Sequence, residues 1–368
     1  MTQQCPVFGK CGGCSTQHIP YEVQLENKKK QLVSASGFED VKAFSSEPYG
    51  YRNRMDLIFH EGGLGFRFKG KWWKVQDIEQ CPISNPRLNE LIKEVRDFFK
   101  SPDYFDLKKH SGTFRYAVVR TPGEDSSISF VLNSESTRLG DATEKIKEFA
   151  KNTTSNNILI TRVPPNSDLS ISQDFFVVKG TEMLQETYLN KKFQYHAQGF
   201  FQNNSAMAES MQAYVHNLLR NQDTKDANLL DLYGGVGTFG IINADLFKEI
   251  LIVEGDEQCI QAANKNIESN SVMNATAKLL DAKHLNKLEL HSPLFVITDP
   301  PRSGMHPKTL EELKVLLPKV LIYVSCNVKE LEKDLNKLSD YEIKSTALFD
   351  FFPQTPHSES VIELVRKN

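Results

Sequence analysis

The sequence predicts an α/β protein of two domains: a strand-rich α+β domain over residues 1–190, then a Rossmann-like domain over 191–368. Three observations predict it. The chain has 368 residues, more than one hydrophobic core usually serves. From about Ser205, strands and helices alternate, the pattern of a mostly parallel sheet covered on both faces. Before that point short strands and turns dominate.

Between about residues 45 and 180 the segments MDLIFHEGGLGFRF, TFRYAVVRTPGEDSSISFVLN and NILITRVPP read as strands, the second as a hairpin about Pro122-Gly123. Arg87 to Lys100 carries apolar residues at helical spacing. In the second half, helix SAMAESMQAYVHNLLR precedes strand NLLDLY, a glycine turn and another helix. Strand EILIVEGD, helix EQCIQAANKNIESN and strand TAKLLDA follow. Next come strand LFVITDPP, helix PKTLEELKVLLPK, strand VLIYVSCN and helix VKELEKDLNKLS. The closing strands, YEIKSTALF and SVIELVRK, predict an antiparallel hairpin at one edge of the sheet.

Composition excludes several classes. Apolar residues make up 39% and charged residues 25%, which is ordinary for a folded chain and argues against wholesale disorder. Apolar runs are strand-sized, so no membrane span is expected, and MTQQCPVFGK lacks the basic start and apolar core of a leader. The expected compartment is the cytoplasm, with no obligate protein partner. Net charge is −3, so a global basic field cannot argue for nucleic acid. Cations are concentrated locally, at Lys28, Lys29 and Lys30, then at Arg52, Arg54, Arg67, Lys69, Lys71 and Lys74 around Trp72 and Trp73. Charge alone reads as a solvated face. Aromatic rings among cations fit RNA better, because rings stack on unpaired bases while cations meet phosphates.

Cys5, Cys11, Cys14 and Cys81 supply four thiols, three of them spaced C-x5-C-x2-C, with Gly12-Gly13 letting the backbone wrap tightly. Such a set suits zinc or an iron–sulfur cluster. Zinc sites of four cysteines usually draw on two C-x2-C pairs; a single pair with a remote fourth thiol tilts towards 4Fe–4S, and the chemistry leaves both open.

The loop from Asp231 to Gly240 follows a strand, opens a helix and contains G-x-G-x-x-G at Gly235, Gly237 and Gly240. Its glycines let a ligand approach the backbone, and Glu254 at the next strand end is placed for the ribose hydroxyls of an adenosine. Both features fit NAD and S-adenosylmethionine alike; the two closing strands favour a methyltransferase sheet over a plain dinucleotide fold. Asp299 ends strand LFVITDPP over the cofactor, stiffened by Pro300 and Pro301. Arg302 stands where amino-methyltransferases place an aromatic ring, which argues against amine methylation. Cys326 ends strand VLIYVSCN beside the same pocket. A thiolate there can add to C6 of a uracil and make C5 nucleophilic enough to take a methyl group. Glu359, in FFPQTPHSES, is the candidate base for the C5 proton, with His357 near it in sequence.

Together YRNR, FFQNN, LLDLYGGVGTFG, DPPRSG, VSCN and FPQTPHSE resemble the RNA 5-methyluridine methyltransferases, from Cys5 to the final strand. The resemblance implies a Rossmann-like S-adenosylmethionine domain and an N-terminal RNA-binding domain. It implies a 4Fe–4S cluster on Cys5, Cys11, Cys14 and Cys81. It also implies S-adenosylmethionine contacts from Gln202, Tyr233, Gly235, Glu254 and Asp299, Cys326 as nucleophile and Glu359 as proton acceptor, with Arg52 and Arg54 steadying RNA. Having the cysteine set, and Cys5 too near the start for an N-terminal TRAM barrel, the chain is most similar to the compact 23S rRNA enzymes. RNA is thus the expected partner, 23S rRNA ahead of tRNA. RNA cytosine C5 methylation, a non-catalytic iron–sulfur RNA-binding protein and a nicotinamide oxidoreductase are the rival readings.

Overall fold

The computed structural model describes residues 5–367; the first four, part of the stretch searched for a leader, lie outside. It divides into two compact units that interleave along the chain. The first comprises Met1–Pro20, Glu47–Glu186 and His196–Ser205; the second comprises Tyr21–Ser46, Thr187–Tyr195 and Ala206–Asn368. The sequence suggested one cut near residue 190. Instead Tyr21–Ser46 belongs with the second unit, because its helix and strand complete that unit's sheet layer.

In chain order, α1 (Tyr21–Ser36) and β1 (Val41–Phe44) precede the strands β2 (Arg54–His60), β3 (Gly63–Phe68) and β4 (Lys71–Asp77). Helix α2 (Pro86–Phe98) follows, then β5 (Phe114–Arg120), β6 (Ser127–Asn133), α3 (Leu139–Asn152), β7 (Asn157–Val163) and β8 (Phe175–Lys179). Strands β9 (Met183–Tyr188) and β10 (Lys191–His196) make a two-stranded sheet. The second half runs α4 (Ser205–Arg220), β11 (Asn228–Leu232), α5 (Thr238–Ile242), β12 (Glu249–Glu254), α6 (Glu257–Ser269), β13 (Ala275–Leu279) and β14 (Leu294–Thr298). It ends with α7 (Pro307–Leu316), β15 (Val320–Ser325), α8 (Val328–Leu335), β16 (Tyr341–Phe349) and β17 (Glu359–Arg366). Among the described residues no helix is long and apolar enough to cross a membrane.

The first unit is a seven-stranded sheet ordered β4-β3-β2-β5-β6-β7-β8. Pairing is antiparallel except between β6 and β7, which α3 connects, as a parallel neighbour requires a crossover. Every residue of β5 and β6 is buried, as expected of central strands covered on both faces. Helix α2 starts where Asn85 accepts the Leu88 N–H and Pro86 fills the first turn. It buries Leu88, Leu91, Ile92 and Val95, one stripe at helical spacing, against a core that includes Phe59, Phe99, Phe114 and Phe130. At Gly65 a Cβ would lie 2.1 Å from the Gln76 carbonyl oxygen, so only glycine lets β3 approach β4 there.

The second unit is an eight-stranded sheet ordered β1-β16-β17-β15-β14-β11-β12-β13. Its five strands β11 to β15 are parallel, and β17 runs antiparallel to both β15 and β16. The closing hairpin forms as expected but is not the edge: β1 pairs parallel with β16, and Phe44 stacks on Phe349 at 4.5 Å between ring centroids. Helix α5 is only five residues long, and α8 ends at Leu335 rather than near Ser339. Three helices of the unit open on side-chain caps, Asp256 before α6, His306 before α7 and Asn327 before α8.

Candidate active site

Strands β14 and β15 are wholly buried, and their apolar runs end abruptly in Asp299 and Cys326. Parallel register pairs Thr298 with Tyr323, and antiparallel register pairs Ser325 with Ser360. Cys326 and Glu359 are therefore the next positions outward on adjoining strands, and Asp299 is the next position outward on β14. Adjoining strands lie about 4.8 Å apart, so the three side chains share one end of the sheet. That is the carboxyl end, where open α/β sheets bind ligands.

Electrostatics binds the three together. Burial pushes the Cys326 thiol up to about 11, and the Glu359 and Asp299 carboxylates push the same way, against a smaller lowering from its own backbone N–H and Arg302. Burial, then Asp299, raises Glu359 well above the usual carboxylate range, and burial alone lifts Asp299 to about 7. A carboxyl group with a raised proton affinity beside a thiol at a strand end is a candidate for proton transfer. His357 is exposed, and its imidazole is lowered by desolvation and by the charges of Arg302 and Lys28.

The glycine loop lies at the ends of β11 and β12. Gly235 has φ 54° and nothing within 4 Å of where a Cβ would stand, so its backbone is open to a ligand. Tyr233 also takes a left-handed φ of 58°, and its hydroxyl accepts from the His306 N–H at 3.4 Å. Glu254 accepts the Gly235 N–H at 3.1 Å through Oε2, and the Gly255 and Asp256 N–H groups at 2.6 and 2.9 Å through Oε1. Asp231 accepts the Gly240 N–H at 2.8 Å; its other oxygen is buried without a partner, and burial raises the group to about 7. Gln202 lies in the first unit, where its carbonyl accepts from the Asn53 side chain at 3.2 Å; the other expected cofactor residues all lie in the second.

Also in the first unit, Cys5, Cys11, Cys14 and Cys81 line one cavity of about 510 Å³, together with Arg52 and Arg54. Burial raises Cys11, Cys14 (up to about 12) and Cys81, and the thiols repel one another's charged forms. Yet among the described residues no three His, Cys, Asp or Glu side chains form a group that could hold a metal ion. The geometry thus brings the four cysteines to one cavity without closing them on a centre. Arg52 donates to the Arg54 carbonyl at 2.8 Å, and Arg54 forks onto Asp56 at 2.9 and 3.0 Å, so both cations are already engaged within the fold.

The solvated-face reading of the first lysine cluster fails at one position. Lys28 is buried, paired with fully buried Asp350 at 2.7 Å, and donates to the Phe352 carbonyl at 3.1 Å. Gln24, one turn earlier, donates to the Gln354 side chain and accepts the Gln354 N–H, both at 3.0 Å. Helix α1 therefore grips the loop leading into Glu359, a role the sequence reading missed. A signal existed: Gln24, Lys28 and Leu32 recur every four residues and are the buried line of α1. Lys29 and Lys30, on either side of that line, stay exposed or partly so.

The sequence model of the tRNA (uracil-5-)-methyltransferase family matches residues 20–367. The tRNA (uracil(54)-C(5))-methyltransferase of Pyrococcus abyssi is 34% identical over 366 residues, covering 98% of this chain and 85% of that protein. An uncharacterised RNA methyltransferase of Caldanaerobacter subterraneus is 33% identical over 379 residues, covering 97% of this chain and 83% of its own length. The crystal structure of the Pyrococcus abyssi tRNA (uracil-54, C5)-methyltransferase in complex with S-adenosyl-L-homocysteine superposes with a TM-score of 0.81 at 32% identity, over 99% of this chain and 88% of that one.

Proposed function

The chain belongs to the tRNA (uracil-5-)-methyltransferase family, and from that premise we propose that it methylates C5 of a uridine in tRNA, with uridine 54 as the target. The coarser activity, S-adenosylmethionine-dependent methylation of RNA uridine at C5, follows from the family and from a fold shared with a relative crystallised with S-adenosyl-L-homocysteine. For the substrate, the sequence favoured 23S rRNA over tRNA; relatives named for uracil 54 of tRNA, matched over nearly the whole chain, support tRNA instead. The cytoplasm remains the compartment of this reading.

The observation that carries the mechanism is the meeting of Asp299, Cys326 and Glu359 at the ends of β14, β15 and β17. S-adenosylmethionine, when bound, supplies an electrophilic methyl group; Gln202, Tyr233, Gly235, Glu254 and Asp299 are proposed to hold it. The Cys326 thiolate forms a bond to C6 of the uracil, and the electron pair moves onto C5 and O4. C5 would then take the methyl group as the bond from that methyl to the sulfonium sulfur breaks, its electron pair staying on sulfur and leaving S-adenosyl-L-homocysteine. The Glu359 carboxylate removes the C5 proton, and the electrons of that C–H bond re-form the C5–C6 double bond and expel the Cys326 thiolate. Net, one methyl replaces one proton.

We also propose that Cys5, Cys11, Cys14 and Cys81 hold a 4Fe–4S cluster. Zinc–sulfur bonds of about 2.3 Å would draw four sulfurs to roughly 3.8 Å of one another. A cubane cluster holds its ligand sulfurs farther apart, which suits four thiols that line one cavity without forming a group tight enough for a single ion. Iron and sulfide analysis after anaerobic reconstitution decides this: one zinc per chain and no bound sulfide would overturn it.

The activity is tested by incubating the protein and labelled S-adenosylmethionine with unmodified tRNA and, separately, with 23S rRNA fragments. Digestion and mass spectrometry are expected to find 5-methyluridine at position 54 of the tRNA. 5-Methyluridine only in the 23S fragments would restore the rRNA reading, and 5-methylcytidine would overturn the base assignment.

A further inference from the structure

The chain contains two tryptophans, Trp72 and Trp73, and neither serves the core: they are 60% and 45% exposed on β4, the edge strand of the first unit's sheet. Their rings stand edge to face at 5.8 Å. Between Phe66 and Gln76 the β3–β4 hairpin carries Arg67, Lys69, Lys71 and Lys74 and no carboxylate, in a chain whose net charge is −3. The ammonium of Lys108, from a separate loop, lies 5.4 Å from the Trp73 ring centre, and Lys71 and Lys74 lie 5.6 and 5.0 Å from that of Phe68. Lysines on an edge strand also prevent sheet-to-sheet pairing, but that need is met without two indoles in solvent.

The tip is held in place. Arg67 donates to the Trp72 carbonyl and pairs with Asp168. On its other side the cysteine loop is stitched to the hairpin: Cys11 bridges Phe68, Gly12 N–H donates to the Arg67 carbonyl at 3.0 Å, and Lys69 N–H donates to the Lys10 carbonyl at 2.7 Å. A rigid arm bearing flat rings among cations is what unpaired nucleotides need, since bases stack on the rings and phosphates meet the ammonium groups.

We propose that the β3–β4 tip, with Trp72, Trp73, Lys71, Lys74 and Lys108, is a stacking platform for unpaired nucleotides of the substrate RNA, in the unit that does not contain Cys326. This rests on RNA being the substrate and adds where a second part of that RNA is read.

Because both tryptophans of the chain sit here, tryptophan emission excited at wavelengths that tyrosine does not absorb reports this surface alone. Titrating the full-length protein with unmodified tRNA is expected to quench and saturate tryptophan emission, and to shield it from iodide. Trp72→Ala and the pair Lys71→Glu/Lys74→Glu lie on an exposed edge and are expected to fold normally. Each is expected to raise KM for tRNA roughly five- to hundred-fold, with kcat at saturating tRNA changed less than about two-fold and S-adenosylmethionine affinity unchanged. Wild-type protein that methylates tRNA with no change in emission, or variants with wild-type KM, would overturn the platform alone. Quenching by concentrating the protein without RNA would assign the surface to self-association and also overturn it. Wild-type protein that neither binds nor methylates RNA would take down the substrate reading, and the platform with it.

Discussion

Cys326, one position beyond β15, and Glu359, the first residue of β17, adjoin the paired Ser325 and Ser360, yet their substitutions are expected to stop the reaction at different points. Cys326→Ala removes the group that activates C5, so it is expected to bind RNA and S-adenosylmethionine and form no covalent adduct. Glu359→Gln can still add and take the methyl group, but cannot release the C5 proton. It is expected to accumulate a methylated protein–RNA complex stable to denaturing electrophoresis; free turnover by Glu359→Gln would show another base. Asp231 offers a test of electrostatics apart from catalysis. Its folded value of about 7 stands above the ordinary 3.8, so the folded chain keeps a proton that the unfolded chain loses as pH rises above about 4. Stability from this group is present at low pH and disappears as pH rises through about 7. Asp231→Asn keeps an acceptor for the Gly240 N–H and removes the titration. Between pH 5 and 8, urea melts are expected to show the wild type losing about 2–3 kcal/mol more than the variant; equal losses would refute the assignment.

Among the elements, α1 has the least obvious task. Its sequence, YEVQLENKKKQLVSAS, reads as a polar helix, yet two residues of its buried line, Gln24 and Lys28, secure the segment from Asp350 to Gln354. Gln354 adopts φ 69°, a left-handed conformation that a glutamine keeps only when its surroundings hold it. Lys28→Met leaves Asp350 buried without its cation and is expected to lower stability by roughly 3–5 kcal/mol. Lys28→Met/Asp350→Leu removes both charges and is expected to recover most of that loss in chemical denaturation. A single variant as stable as wild type would show the pair to be solvated in solution. The same comparison read by turnover separates fold from function: a double variant that is stable but slow to release its RNA adduct would show that α1 holds Glu359 in position.

At the scale of the whole molecule, interleaving constrains what can be cut apart. A fragment of residues 187–368 lacks α1 and β1, which exposes the β16 edge and the Leu32 contact with its core. It is expected to aggregate, whereas fusing residues 21–46 to it is expected to restore a cooperative melt; light scattering and thermal denaturation would tell. The sequence by itself determined the alternation of strands and helices from Ser205 onward, the glycine loop and the strand ends bearing Asp299 and Cys326, because apolar periodicity and glycine chemistry are local. Glu359 was only a candidate base from the residues themselves, since a glutamate after a proline-containing loop has no local signature and reads as readily as solvent-facing; the resemblance singled it out. Tertiary structure alone decided that Lys28 is a buried partner rather than part of a solvated face, that β1 covers the closing hairpin, and that Trp72 and Trp73 remain in solvent. The physical reason is shared: burial, ion pairing and sheet neighbours join residues far apart in the chain, Lys28 with Asp350 and Val41 with Thr346, and no window of sequence contains both members.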